Sequence, residues 1–265
     1  MALLDQARIA PPRTSAGATA GASVLVLGSA AAAWWWTNHQ AHAMSGTALG
    51  LAQVGRAMTF GMGTAAFFGM WAAMMAAMML PSVTPLALAH SGGRQVFAGT
   101  RSSVSFLAGY LGIWVVAGVP ALFALKGLND IGHASAWLDR AGGAVLVLAG
   151  VYQFTHTKHA AVRAYRRALD AMETSPPGLG SVAAAQAGLR EGLCCLGACW
   201  ALIAVLLVLG LMNVAWMAAI TVVFAAEKNA RHSSGVITWV GVALIGLGLA
   251  VLVHAQFLTT LAPSS

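Results

Sequence analysis

Charge is the scarcest property of this chain. Charged residues fill 8% of its 265 positions, against about 25% in soluble domains, and only seven residues are Asp or Glu. With a mean hydropathy of +0.77, the chain reads as neither soluble nor disordered. Several uncharged runs approach or pass the ~20 residues that cross a bilayer as a helix. With carboxylates so few, no two fall within one apolar run to act as general acid and base. Cysteine is scarce too. Cys194, Cys195 and Cys199 are odd in number and crowded into about a turn and a half, which excludes a disulfide scaffold. A Ser/His/Asp arrangement, a phosphate loop, a Gly-rich dinucleotide turn and HExxH are also missing, so the chain reads as a non-enzyme.

What is abundant is apolar helix. The expected fold is an all-α, polytopic transmembrane helix bundle of about seven spans. They fall near 19–36, 64–89, 103–125, 137–156, 193–211, 213–227 and 236–257. The uncharged stretch 193–226 would be about 51 Å long as one helix, too long for a ~30 Å hydrocarbon core. Gly210 and Asn213 therefore read as a turn between two antiparallel helices. Residues 1–18 read as a disordered cytoplasmic tail, and 19–265 as one transmembrane domain with a cytoplasmic basic loop at 157–191. A cleavable leader ending at Ala41-His42-Ala43 competes with a retained first span. The Trp34-Trp35-Trp36 anchor favours retention.

The net charge of +7 matters by its distribution. With the N-terminus cytoplasmic, only Arg56, Lys126 and Arg140 stand outside, and every other Lys and Arg is inside. The partner implied is the lipid bilayer, with no nucleic acid.

Methionine supplies the first chemical candidate. Between Met70 and Pro81 the chain reads MWAAMMAAMMLP. Met58, Met62, Met70, Met74 and Met78 share one i, i+4 row, and Trp71, Met75 and Met79 the next. Thioethers suit Cu(I), although such stripes more often serve as packing surface. Cys195 and Cys199, four apart, face one way on a helix and supply half of a soft-metal site; Cys194 points aside. His39-x-x-His42-x-Met44 has the spacing of an outer capture loop, against the plainer reading of a solvated loop. His156 and His159 could meet the cysteines across the bundle, and His254 reads as an interfacial histidine. Arg190-Glu191 and Glu227-Lys228, at span ends, read as structural ion pairs at the interface.

Several segments together resemble a bacterial family of predicted metal-binding integral membrane proteins. They are WAAMMAAMMLPS (Trp71 to Ser82), FLAGYLGIW (Phe106 to Trp114), AGVYQFTHTK (Ala149 to Lys158), GLREGLCCLGACWAL (Gly188 to Leu202), LGLMNVAWMAA (Leu209 to Ala219) and Glu227-Lys228. The chain departs from that pattern at Ala198, where a cysteine doublet precedes the tryptophan in the family, and after Lys158, where His159 and Ala160 replace two cysteines. The resemblance implies handling of a soft metal, copper above all, in the bacterial cytoplasmic (inner) membrane. In that reading Met70, Met74 and Met78 form a thioether track with Met75 and Met79 beside it. Cys195 and Cys199 form an inner thiolate site, with Cys194 adjacent, and His39 with His42 an outer capture point. The function expected is binding or transfer of Cu(I), with delivery to a membrane cuproenzyme. The competing reading is an assembly factor or accessory subunit of a larger membrane complex that binds no metal.

Overall fold

The computed structural model describes residues 16–43, 63–89, 100–131, 136–173, 180–209, 213–230 and 233–253. Among them every regular element is helical, and there is no strand. The helices are α1 (Ala16–Ala43), α2 (Thr64–Ala89), α3 (Thr100–Ile131), α4 (Ala136–Gln153), α5 (His156–Glu173), α6 (Ser181–Leu209), α7 (Val214–Asn229) and α8 (Ser233–Val253). Most of the tail expected at 1–18, together with Met44, Met58, Met62, Gly210 and His254, lies outside the described residues.

Among the described residues, four helices, α2, α3, α6 and α8, are long and apolar enough to cross a membrane. Seven spans were expected. Of the others, α4 is diluted by Asp139, Arg140 and Gln153, and α7 has only 16 residues. The basic stretch after α4 is a helix: α5 docks on α6, burying Lys158, Val162 and Tyr165 while His156, Arg163 and Arg167 stay exposed. Helix α6 starts twelve residues before the span expected at 193.

Two seams of glycine organise the bundle. Along α3–α6, a Cβ on Gly109 would strike the Ala185 carbonyl, and one on Gly188 the Phe106 carbonyl. One on Gly192 would lie 3.0 Å from the Tyr110 carbonyl. Only hydrogen fits there, so the two backbones touch. Along α4–α8, Gly143 and Gly150 face Gly248 and Gly241, each with an opposing carbonyl 2.8–3.0 Å from the position a Cβ would take on Gly143, Gly150 or Gly248. Helix α2 packs on α1 and α7 and also touches α3, where the Trp71 indole donates to the Trp114 carbonyl at 2.7 Å.

Short connections aim the polar residues. Thr155 ends α4 and caps α5: its hydroxyl donates to the Tyr152 carbonyl at 2.7 Å and accepts from the Lys158 N–H at 3.3 Å. That places Lys158 in the first turn of α5, directed inward. Asn213 caps α7 by accepting from the Trp216 N–H at 3.1 Å. The other end of α7 is closed by Arg166 of α5, which donates to the carbonyls of Lys228 (2.9 Å), Glu227 (3.2 Å) and Ala230 (2.9 Å). A cation on the exposed carbonyls of a helix C-terminus satisfies both their hydrogen bonding and the helix dipole.

Candidate metal centre

Five helices converge on Cys195. It lies on the buried face of α6 with Glu191 one turn before and Cys199 one turn after. The α3–α6 glycine seam brings Tyr110 so close that its hydroxyl and the Cys195 thiol share a hydrogen bond at 3.0 Å. From α2, Met79 places its thioether sulfur 3.8 Å from Cys195 Sγ. From α7, the Lys228 ammonium donates to Cys195 Sγ at 3.1 Å and lies 4.0 Å from Met79 Sδ. From α5, the Tyr165 ring lies under the same ammonium at 4.8 Å, and Phe224 of α7 flanks it at 5.7 Å. The Cys199 thiol lies within interaction range of Cys195. Met79, Tyr110, Tyr165, Glu191, Cys195, Cys199 and Lys228 are all buried.

A second polar knot adjoins the first. Lys158 of α5 pairs with Glu227 of α7 at 2.7 Å and donates to the Ala198 carbonyl of α6. Gln153 donates to the other Glu227 oxygen at 3.0 Å. Both charges are almost wholly buried. An ion pair in that setting is held by its extra hydrogen bonds as much as by its charge, because desolvation offsets much of the attraction. It ties α4, α5, α6 and α7 together just where the sulfur cluster needs them fixed.

The ion pairs expected at the span ends are rearranged. Glu227 and Lys228 do not pair with each other, since adjacent helical residues point about 100° apart: Glu227 meets Lys158, and Lys228 meets sulfur. Arg190 is exposed, while Glu191 is fully buried and neither of its carboxylate oxygens has a hydrogen-bond partner.

The described part of the methionine rows faces inward. Met70, Met74, Met75, Met78 and Met79 are all buried in the main core, and of these Met79 touches Cys195. Cys194 is half-buried. His39 and His42 stand on the last turns of α1 rather than in a loop, and His39 is exposed and stacked on Trp35 at 5.8 Å. His156 is exposed and His159 half-buried. Among the described residues, no three His, Cys, Asp or Glu side chains come together as a metal-holding group. The donor set at Cys195 is therefore sulfur: two thiols and a thioether, a combination that suits Cu(I) over hard cations.

A family model described as PpoB2, copper chaperone, matches residues 68–251. The chain belongs to that copper chaperone family. The matched range runs from just before Met70 through the sulfur cluster and nearly to the end of α8, so it contains every residue of both polar knots. No curated protein and no solved structure matches the chain.

Sequence reasoning missed three participants in this copper chaperone fold, Tyr110, Tyr165 and Lys158, and gave a fourth, Lys228, another partner. Tyr110 and Tyr165 carry no signal in sequence beyond an aromatic in an apolar or amphipathic helix. Lys158 and Lys228 did carry one. A cation at the edge of an apolar run is costly to bury, and both were assigned to the interface because their partners, Glu227 and Cys195, are remote in sequence.

Proposed function

We propose that this protein binds and transfers Cu(I) within the bacterial inner membrane, through the sulfur set of Cys195, Cys199 and Met79, and delivers it to a membrane cuproenzyme. The observation that carries the reading is the 3.8 Å approach of Met79 Sδ to Cys195 Sγ, with Cys199 on the next turn. Membership of a copper chaperone family supports it. Apart from their protons, the thiols need no activation to bind a soft cation, and burial keeps oxidants and competing water away from Cu(I). Met70, Met74, Met75 and Met78, packed along the same helix, would form a thioether route to or from that set. The distribution of Lys and Arg supports a cytoplasmic N-terminus, and the apolar helices support a membrane location. The role is non-catalytic: copper is cargo and leaves unchanged.

The test is copper content of detergent-purified protein after anaerobic Cu(I) loading. Wild type is expected to retain copper in stoichiometric amount. Cys195→Ser/Cys199→Ser should lose it, and Met74→Leu/Met78→Leu should lose transfer to an acceptor while keeping the fold. Folded wild type that retains no copper would sink the proposal and favour an assembly subunit that binds no metal.

A further inference from the structure

A buried ammonium and a buried carboxyl group flank Cys195. An ammonium in a low-dielectric interior is costly unless compensated, and the usual compensation is a carboxylate. Among its contacts, Lys228 points its ammonium at Cys195 Sγ (3.1 Å), Met79 Sδ (4.0 Å) and the faces of Tyr165 and Phe224. These are soft, electron-rich groups, the ones a Cu(I) ion would choose. Glu191 shows the reverse. Its carboxylate is fully buried, neither oxygen has a hydrogen-bond partner, and it lies within electrostatic reach of both Cys195 and Lys228. Glu227 does not serve Lys228, because Lys158 and Gln153 take its two oxygens.

We propose that the Lys228 ammonium is a placeholder for the cargo cation: it occupies the sulfur site in copper-free protein and swings to the Glu191 carboxylate when Cu(I) arrives. The idea rests on the copper-handling reading above. In the exchange the N–H···S hydrogen bond to Cys195 breaks, Cu–S bonds form, and N–H···O bonds form on Glu191. Lysine keeps its proton, copper stays Cu(I) throughout, and any proton on a ligating sulfur or on the Glu191 carboxyl leaves to solvent. One positive charge leaves the sulfurs as another enters, so they are never left without a counter-cation. The four-carbon lysine stem is flexible enough for such a move. The same device makes release easy, since the ammonium can return as copper departs.

The test is equilibrium Cu(I) affinity, measured anaerobically in detergent against the chromophoric chelator bicinchoninate. A placeholder competes with cargo, so Lys228→Met should bind Cu(I) more tightly. If the ammonium holds the site nine-tenths of the time, the gain is about tenfold. Glu191→Gln, nearly isosteric, removes the second berth and should weaken binding. In a Lys228→Met background it should have little further effect, since no ammonium remains to be housed. Weaker binding in a folded Lys228→Met, or a Glu191→Gln loss that survives in the double variant, overturns the placeholder. Should Lys228→Met fail to fold, Glu191→Gln decides alone, and unchanged affinity overturns the proposal. Wild type that binds no Cu(I) overturns the copper reading itself, an outcome distinct from either.

Discussion

The α3–α6 and α4–α8 seams are built alike and used differently. Each relies on glycines that let two backbones meet, so each is close-packed without large side chains. Across α4–α8 what meets the glycines is mostly apolar: Val147, Ile245 and Leu252, with the Phe154 ring and the Gln153 stem against Gly241. Across α3–α6 the same closeness presses a phenol onto a thiol, and α2, α5 and α7 then close over the pair with a thioether, an aromatic ring and an ammonium. Close approach is therefore not itself the functional feature. It becomes one where the residues a turn away from the glycines are polarisable or charged.

The comparison can be broken most forcefully through charge. Lys158→Met leaves Glu227 buried without its cation and should cost about 3–5 kcal/mol, read as lost thermal stability in detergent. Lys158→Met/Glu227→Met should recover most of that loss. If the single variant melts like wild type, the polar knot does not hold α5 and α7 onto α6. Next in size are the seams. Gly188→Ala and Gly150→Ala both force a methyl against a carbonyl and should each cost about 1–3 kcal/mol. Only Gly188→Ala should also weaken Cu(I) binding per folded molecule, because it pushes α3 away from Cys195. Equal copper affinity in the two variants would mean that the seams are interchangeable packing. Gly112→Ala, whose added methyl meets nothing within 4 Å, is the control and should be neutral or slightly stabilising. The smallest effect belongs to Tyr110→Phe. Removing the hydroxyl deletes one buried hydrogen bond, about 1 kcal/mol, and should change Cu(I) affinity by less than about tenfold. A larger loss would make Tyr110 a participant in binding rather than a neighbour that orients Cys195.

Much of this was legible in the chain. Apolar runs with few charges dictate helices, because every backbone polar group in lipid must be satisfied within its own segment. A break between helices at Asn213 was expected from the length of the uncharged run, and the structure adds that Asn213 caps α7. The pairing of Cys195 with Cys199 follows from helical spacing alone. The site itself was half legible. Sulfur donors were marked, but Met79 looked no different from Met70, Met74, Met75 or Met78, since periodicity tells which residues share a face and not which neighbour that face meets. His39 and His42 looked like a loop pair because α1 runs on through polar residues to Ala43. That the basic stretch after α4 packs inward was not legible, because nothing local reports that α6 waits to bury Tyr165 and Lys158.

By itself the sequence determined the helical class, the apolar character and the spacing of its thiols and thioethers, all of which depend on composition and on spacing along one helix. Only the tertiary structure decided which methionine reaches the thiols, that Glu227 pairs with Lys158 and Lys228 with sulfur, and that Glu191 is buried without a donor. Those facts depend on which helices the glycine seams draw together. Contacts between residues dozens of positions apart are set by the fit of whole helix faces, a property that no local stretch of sequence contains.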